Sequence, residues 1–469
     1  LVNEEGFHHM KKRWLTLLAM LVVFGMFAAA CGDDDSTTAD EPADEPTDEP
    51  ADEPADEPAD EPADEPADEP ADEPADEPAD EPAGNDWGAT LADGDFGECY
   101  DPDPEIVALG LGGAGSLPED ERARNVALAT LCRASIEVDE ELALDCWQND
   151  GCDTGTGGEL KVALADGFGG NPARQIFKME FILQALTYPE IGEIAYTDAN
   201  LDTQKAISDV QAFTAQGFDV ILSFPDAGEA MVPAYRAATD EGAKLVTWSS
   251  APVGEPGVDF LTYSGSDICT LANAWGNGFN ELLPDGGDIA MILGAPGNPI
   301  DPIHEECLEE VLNDNIQIVA KEGTQWSREA YLEATSAILA EHPDLDGIVG
   351  SYGDAFVGAM RAFEAAGIDM TGLVTMHQSD DNPFLCAWKE LYDAGGAPTS
   401  WHYVALLLEG RTGMTAAMMS IQGYDVPPQV IFGVELKELT PDSCRTDIPP
   451  TGSPSSLVPA SLQTQMFPE

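Results

Sequence analysis

The chain has 469 residues, 89 of them Asp or Glu against 19 Lys or Arg, for a formal net charge of −70. A surface this acidic repels phosphate backbones, which argues against nucleic acid as a partner. The acidity is not confined to one tail, since 62 acidic and 16 basic residues lie beyond Pro82.

Lys11, Lys12 and Arg13 precede an apolar run over 15–27 that ends in Ala28-Ala29-Ala30-Cys31-Gly32. A short basic segment, an apolar stretch below spanning length and a run of small residues mark a removable export signal rather than a membrane helix. The segment resembles a bacterial lipoprotein signal, with Ala28 where leucine is more usual. That resemblance implies a signal peptide over 10–30, a lipid anchor on Cys31 and a place on the extracytoplasmic face of a bacterial membrane. A plain secretory signal with an incidental cysteine is the alternative.

Eleven four-residue units over 39–82 repeat Ala-Asp-Glu-Pro, with one variant at Thr47. Dense like charge and a proline every fourth residue favour extended polyproline II geometry and leave no core to bury. Residues 31–83 are expected to form an acidic tether with a reach on the order of 100 Å.

Setting Cys31 aside leaves Cys99, Cys132, Cys146, Cys152, Cys269, Cys307, Cys386 and Cys444. An even number in an exported chain favours disulfides, although eight cysteines allow about 105 pairings. The expected pairs are Cys146 with Cys152, Cys269 with Cys307, Cys386 with Cys444 and, by elimination, Cys99 with Cys132. Metal binding is the rival reading, but no pair has Cys-x-x-Cys spacing and no histidines cluster nearby, so no metal is expected.

Residues 84–158 are expected to form a cysteine-containing helical extension, with helices over 118–133 and 139–147 and too few strands for a sheet of their own. Gly110, Gly112 and Gly115 fit a dinucleotide-binding spacing. No second parallel strand follows within a ~30-residue unit, and no cofactor is expected.

From Glu159 onward, short apolar runs alternate with stretches of helical periodicity. Strands are predicted over 160–165, 193–197, 220–224, 244–248, 260–263, 288–293, 317–322, 347–350, 373–376, 399–402 and 429–436. Helices are predicted over 172–186, 202–216, 227–241, 267–283, 302–314, 327–342, 354–366 and 384–394. This is the pattern of a parallel-sheet α/β protein, and its length suits two lobes.

Several phrases in this region resemble, in order, those of sugar-type periplasmic binding proteins of the ribose-binding class. They include Gly170-Asn171-Pro172, Gln216-Gly217-Phe218-Asp219-Val220, Glu241-Gly242-Ala243-Lys244, Thr324-Gln325-Trp326-Ser327-Arg328 and His342-Pro343-Asp344-Leu345-Asp346. The resemblance covers 159–439. It implies a periplasmic binding protein type I fold: two doubly wound parallel-sheet lobes, joined by three crossovers, around one small solute. The N-terminal lobe is expected over 159–262, completed by 403–432, and the C-terminal lobe over 263–402, completed by 433–445. Residues 446–469 are expected to be a disordered tail.

Carried over one position at a time, the resemblance implies ligand contacts at Asn171 after the first strand, with Phe168 or Phe177 beside it, and at Trp326 and Asp354. Departures stand at other family positions. Gly353 replaces an asparagine, His377 and Gln378 replace an aspartate phrase, Asp301 and His304 stand where arginines are usual, and Trp248 and Ser249 where Asp-Arg is frequent. Flat faces on Trp248, Trp326, Tyr352 and Trp401 suit an apolar ring face. Ordinary core packing for these aromatics and helix capping for Asp354 are the bland readings.

Catalytic motifs are missing: no Gly-x-Ser-x-Gly elbow, no His-Glu-x-x-His helix and no Walker loop. The reading is a lipid-anchored, monomeric solute receptor, not an enzyme, that delivers a sugar or sugar-like solute to the permease and ATPase of an ABC importer. A ligand-sensing receptor on the same fold is the alternative, with a secreted hydrolase behind it.

Overall fold

The computed structural model describes residues 101–468, apart from 113, 114, 379, 380 and 405. The expected signal, Cys31, the tether and Cys99 lie outside the described residues.

The segment after Cys99 gives α1 (Pro104–Gly110), β1 (Gly115–Ser116), α2 (Glu121–Arg133), α3 (Glu140–Gln148) and β2 (Gly151–Asp153). Asp103, Asp120 and Asp139 cap the three helices, accepting backbone N–H bonds from the first turns, which would otherwise be orphaned. There follow β3 (Leu160–Asp166), α4 (Pro172–Ala185), β4 (Ile191–Asp198), α5 (Thr203–Ala215), β5 (Val220–Ser223), α6 (Val232–Asp240), β6 (Lys244–Trp248) and β7 (Thr262–Ser266). The helix predicted over 227–241 begins as a 3-10 turn, Gly228–Met231, and becomes α-helical where Pro233 occupies the first turn, the one helical place that tolerates proline.

Next come α7 (Ile268–Leu282), β8 (Gly287–Leu293), α8 (Ile300–Val311), β9 (Ile316–Gly323), α9 (Arg328–Glu341), β10 (Gly347–Gly350), α10 (Phe356–Ala366), β11 (Val374–Gln378), α11 (Asn382–Ala394) and β12 (Thr399–Tyr403). The chain ends with α12 (Glu409–Ile421), β13 (Gln429–Val434), β14 (Lys437–Glu438) and α13 (Ala460–Met466).

Two sheets organise these elements, with strand orders β1-β13-β7-β6-β5-β3-β4-β2 and β14-β12-β11-β10-β8-β9. Pairing is parallel except at the edges, where β1, β2 and β14 pair antiparallel. Each sheet is buried on both faces. Val162 and Leu164 of β3 enter one core cluster while Ala163 and Ala165 enter another, and in β8 Ala290 and Ile292 separate from Ile289 and Met291 in the same way. Alternation between two apolar faces is the mark of a doubly wound sheet covered by helices on both sides. The fold is thus the α/β type I architecture of two parallel-sheet lobes.

The chain passes between the lobes after β7, after β12 and after β13, and once more near its end. Three cysteine pairs match the expected ones: Cys146–Cys152, Cys269–Cys307 and Cys386–Cys444. The extension has no sheet of its own, but its strands β1 and β2 extend both edges of the first lobe's sheet.

Two expectations are corrected. No helix was predicted over 409–421, yet α12 is there. Every residue from Glu409 to Met419 is buried, so it has no polar face to set up a helical period. Residues 446–469 are not a disordered tail over their described length: they end in α13, with Leu462 and Met466 buried in the first lobe's core.

The core of that lobe contains an ion pair. Glu180 of α4 accepts from Nε of Arg411 of α12, from Ser456 Oγ at 2.7 Å and from the Leu457 N–H at 2.7 Å, while Arg411 Nη1 donates to Gln184 at 3.1 Å. Arg411→Met leaves a buried carboxylate without its cation, and urea unfolding is expected to register a loss of about 3–5 kcal/mol. The double variant Glu180→Met, Arg411→Met is expected to recover much of that loss.

Candidate functional site

In each sheet the strand order reverses at one place, between β3 and β5 in the first lobe and between β8 and β10 in the second. Loops leaving the strand ends on either side of such a reversal diverge and open a crevice. Asn171 follows β3, Phe224 follows β5, Ser249 follows β6, Ser266 ends β7, Ser351 and Tyr352 follow β10, Gln378 ends β11 and Tyr403 ends β12, and all of them line one interlobe cavity. Its water-accessible volume is about 100 Å³. That is room for one small solute and not for a polymer, since a dry engineered cavity of ~150 Å³ holds a benzene.

On the first-lobe side, Asn171 caps α4, its side-chain oxygen accepting from the Arg174 N–H at 2.9 Å. Arg174 is held in place. Its guanidinium donates to Asp166 and, at 2.8 and 3.0 Å, to both oxygens of Asp226, and it lies 3.2 Å from the centre of the Phe224 ring. Two carboxylates thus neutralise the arginine. Burial pushes both acids upward, Asp226 to about 6, against the pull of Arg174.

On the second-lobe side, Trp326 has a φ of +50° and donates from its ring nitrogen to Ser351 Oγ at 3.0 Å. Its ring lies so close to Gly294 that an added Cβ would sit 2.1 Å from it, so glycine is required there. Behind the cavity wall Trp275 packs against His304, with ring centres 4.7 Å apart, and stacks on Tyr403 at 5.3 Å. Nε2 of His304 and the hydroxyl of Tyr403 are buried without a hydrogen-bond partner among the described residues. Burial pushes the His304 pKa down to about 3, so the ring is neutral. The Cys269–Cys307 disulfide ties α7 to α8, which bring Ile268 and His304 to the wall.

Of the residues singled out in the sequence, Asn171, Phe177, Ser249, His304, Trp326, Tyr352 and Gln378 line the cavity. The other six do not. Trp248 is fully buried behind the wall, in edge contact with Phe177 and Phe224 at 4.5 and 4.9 Å. His377 is sealed in the second lobe's core between Phe356 and Phe384, and burial holds its pKa well below the usual histidine value. Asp301 pins the loop after β8, accepting from the Gly294 N–H at 2.9 Å and from Asn298 Nδ2 at 2.5 Å. Asp354 does not cap α10; it forms a two-pronged ion pair with Arg328. Trp401 packs into the core two residues before Tyr403, and Phe168 packs across against the second lobe's core.

Arg174, Phe224, Ser266, Asp381, Tyr403, Glu409 and Ser453 also line the cavity and were not expected as ligand contacts. Strand ends carry a positional signal for Phe224, Ser266 and Tyr403. Nothing local marks Glu409 or Ser453, which arrive from α12 and the chain terminus. Among the described residues there is no cluster of three or more His, Cys, Asp or Glu side chains placed to hold a metal ion.

Glu409 accepts from Ser266 Oγ at 3.3 Å, and burial lifts its pKa to about 8 from an ordinary 4.5. The folded protein therefore keeps a proton that the unfolded chain releases, so this group's contribution to stability is lost as pH rises from about 4.5 to about 8. Relative to wild type, Glu409→Gln is expected to gain stability across that window, reaching on the order of a few kcal/mol at its upper end. Urea unfolding at pH 5, 6.5 and 8 checks it; a pH-independent difference would contradict it.

A family model described as a periplasmic binding protein domain matches residues 167–396. The chain is 25% identical over 183 residues to the ribose import binding protein RbsB of Bacillus subtilis (strain 168), covering 38% of this chain and 57% of that protein. It is 24% identical, also over 183 residues, to a xylitol-binding protein of Mycolicibacterium smegmatis, covering 37% and 50%. The matches thus span about half of the length of these curated relatives. Among solved structures, a Mycobacterium smegmatis ABC transporter solute-binding protein with bound glycerol is 23% identical with a TM-score of 0.53, over 60% of this chain and 94% of that one. The myo-inositol-binding protein of Caulobacter, bound to myo-inositol, is 19% identical with a TM-score of 0.53, again over 60% and 94%. The family model runs from the loop after β3 to the end of α11, and the two-sheet topology agrees with it: residues 167–396 match a periplasmic binding protein domain, on the type I fold.

Proposed function

We propose that the protein is an extracytoplasmic solute receptor, anchored by lipid on Cys31, that captures one small, uncharged polyhydroxylated solute between its lobes and passes it to the permease and ATPase of an ABC importer. The observation that carries this reading is the pairing in one cavity of a locked, neutralised Arg174 with flat aromatic walls and unpartnered neutral polar atoms on His304 and Tyr403.

An anionic solute needs a free cation, and Arg174 already serves two carboxylates. A polyol suits the site better. Its C–H faces pack on Trp326 and Phe224, while its hydroxyls both donate and accept, completing His304 Nε2 and the Tyr403 hydroxyl, which are costly to leave unpaired. Relatives and neighbours named for ribose, xylitol and myo-inositol support the same chemical class. No catalytic step is called for: the cavity residues bind and orient, and the binding energy serves to hold the lobes together around the solute.

A thermal-shift panel on the full chain, using pentoses, hexoses, linear and cyclic polyols, amino acids and nucleosides, tests this reading. A solute that binds only the folded state raises the melting temperature in proportion to dose. The expected result is a shift with one neutral polyol class, weakened at least about tenfold in affinity, ~1.4 kcal/mol, by Trp326→Ala. A shift confined to amino acids or to anionic solutes would overturn the reading.

A further inference from the structure

Type I lobes close about the segments that cross between them, and here one crossing is enclosed by the N-terminal extension and the C-terminal segment. Val404, Leu406, Leu407 and Leu408, in the crossing after β12, are all buried, the three leucines at 2% exposure or less. From the N-terminal extension, Gly110 lies against Leu408 and Leu457, and Gly112 is wedged between Val404 and Ser455. Hinge residues must change their backbone angles for the lobes to part, and these are packed on several sides.

The outer part of this enclosure is the C-terminal segment, which is fixed to both lobes. On the second lobe, the Cys386–Cys444 disulfide holds it to α11. Asn382 Nδ2 donates to the Arg445 carbonyl at 2.7 Å, the Arg445 N–H donates to Asn382 Oδ1 at 2.9 Å, and the Asn382 N–H donates to the Gly452 carbonyl at 3.0 Å. On the first lobe, Ser456 and Leu457 donate to Glu180, and Leu462 and Met466 are buried in the core. Between these anchorages Ser453 faces the cavity.

We infer that residues 444–466 are a strap, a fourth connection between the lobes that stiffens the hinge and limits how far the cleft opens. The limit is geometric. Only four peptide steps separate the second-lobe bond at Gly452 from the first-lobe bond at Ser456, and a fully extended chain covers at most ~3.6 Å per residue, so the anchor points stay within ~14 Å unless one lets go. Wide opening therefore requires release of Asn382 or of the buried Glu180 contacts, which a hinge of three bare crossovers does not. The inference does not depend on which solute is bound.

The test uses the full chain with spin labels on non-cysteine side chains introduced at Ser208 and Ser336, exposed positions of the first and second lobe. Distances are measured by double electron–electron resonance without added solute. A protease site is placed at the exposed pair Thr446–Asp447 in an Asn382→Pro background, which removes both the side-chain bonds and the N–H that holds the Gly452 carbonyl at a helix position that tolerates proline, and is cut after folding, so that α13 stays seated and the core is never left open. The uncut wild type is expected to give one narrow distribution. The cut variant is expected to show a longer component, displaced by more than about 2 Å, the scale of a hinge rearrangement. A narrow distribution that does not move on cutting would overturn the inference, as would a wild type that already populates the longer distance. A cooperative melt of the cut protein separates hinge release from unfolding.

Discussion

The carboxylate of Glu180 joins three stretches of chain that lie far apart in sequence. It sits in α4, takes a charged bond from α12 and accepts two more donors from the C-terminal segment. A fully buried carboxylate persists only where donors surround it. The arrangement therefore fixes where α12 enters the first lobe and where the last residues dock. Glu409, at the start of α12, and Ser453, just before the docking point, reach the cavity as a result. The wall of the site thus depends on a polar contact buried in the core of one lobe.

A second constraint lies in the cavity itself. Its one arginine is spent on Asp166 and Asp226, its histidine is kept neutral by burial, and Glu409 has its pKa pushed up for the same reason. Desolvation thus removes charge from several groups a charged ligand would need, and apart from Asp381 what is left is a set of neutral donors and acceptors beside aromatic faces. The protein's overall acidity works in the same direction, because long-range repulsion bears on an anion and hardly on an uncharged polyol.

Much of the fold was legible in the sequence because parallel strands buried on both faces read as short apolar runs, and helices with one exposed side read at a 3.6-residue period. The runs at 244–248 and 347–350 coincide with β6 and β10 residue for residue. What failed to register was structure without a polar face or with too few residues. α12 is buried all round, β1, β2 and β14 are two or three residues long, and α13 is a seven-residue helix after a proline-rich stretch. Seven of the thirteen residues singled out reach the cavity, most of them because strand ends and the loops after them are positions a sequence can mark. Trp248, His377 and Trp401 sit on or beside those same strand ends but turn into the core. In a strand one residue's displacement reverses the face, and nothing in a local phrase says which face meets the crevice.

By itself, the sequence determined the alternation of strands and helices, the two-lobe division and the general position of a crevice, because each follows from local periodicity, composition or the order of short phrases. Only the tertiary structure decided that Arg174 is neutralised, that Glu409 and Ser453 belong to the site and that the chain's last residues strap the lobes together. The first rests on Asp166 and Asp226 reaching Arg174 from other strand ends, and the others on Glu180 meeting partners more than 200 residues away inside a core; no local pattern encodes such meetings.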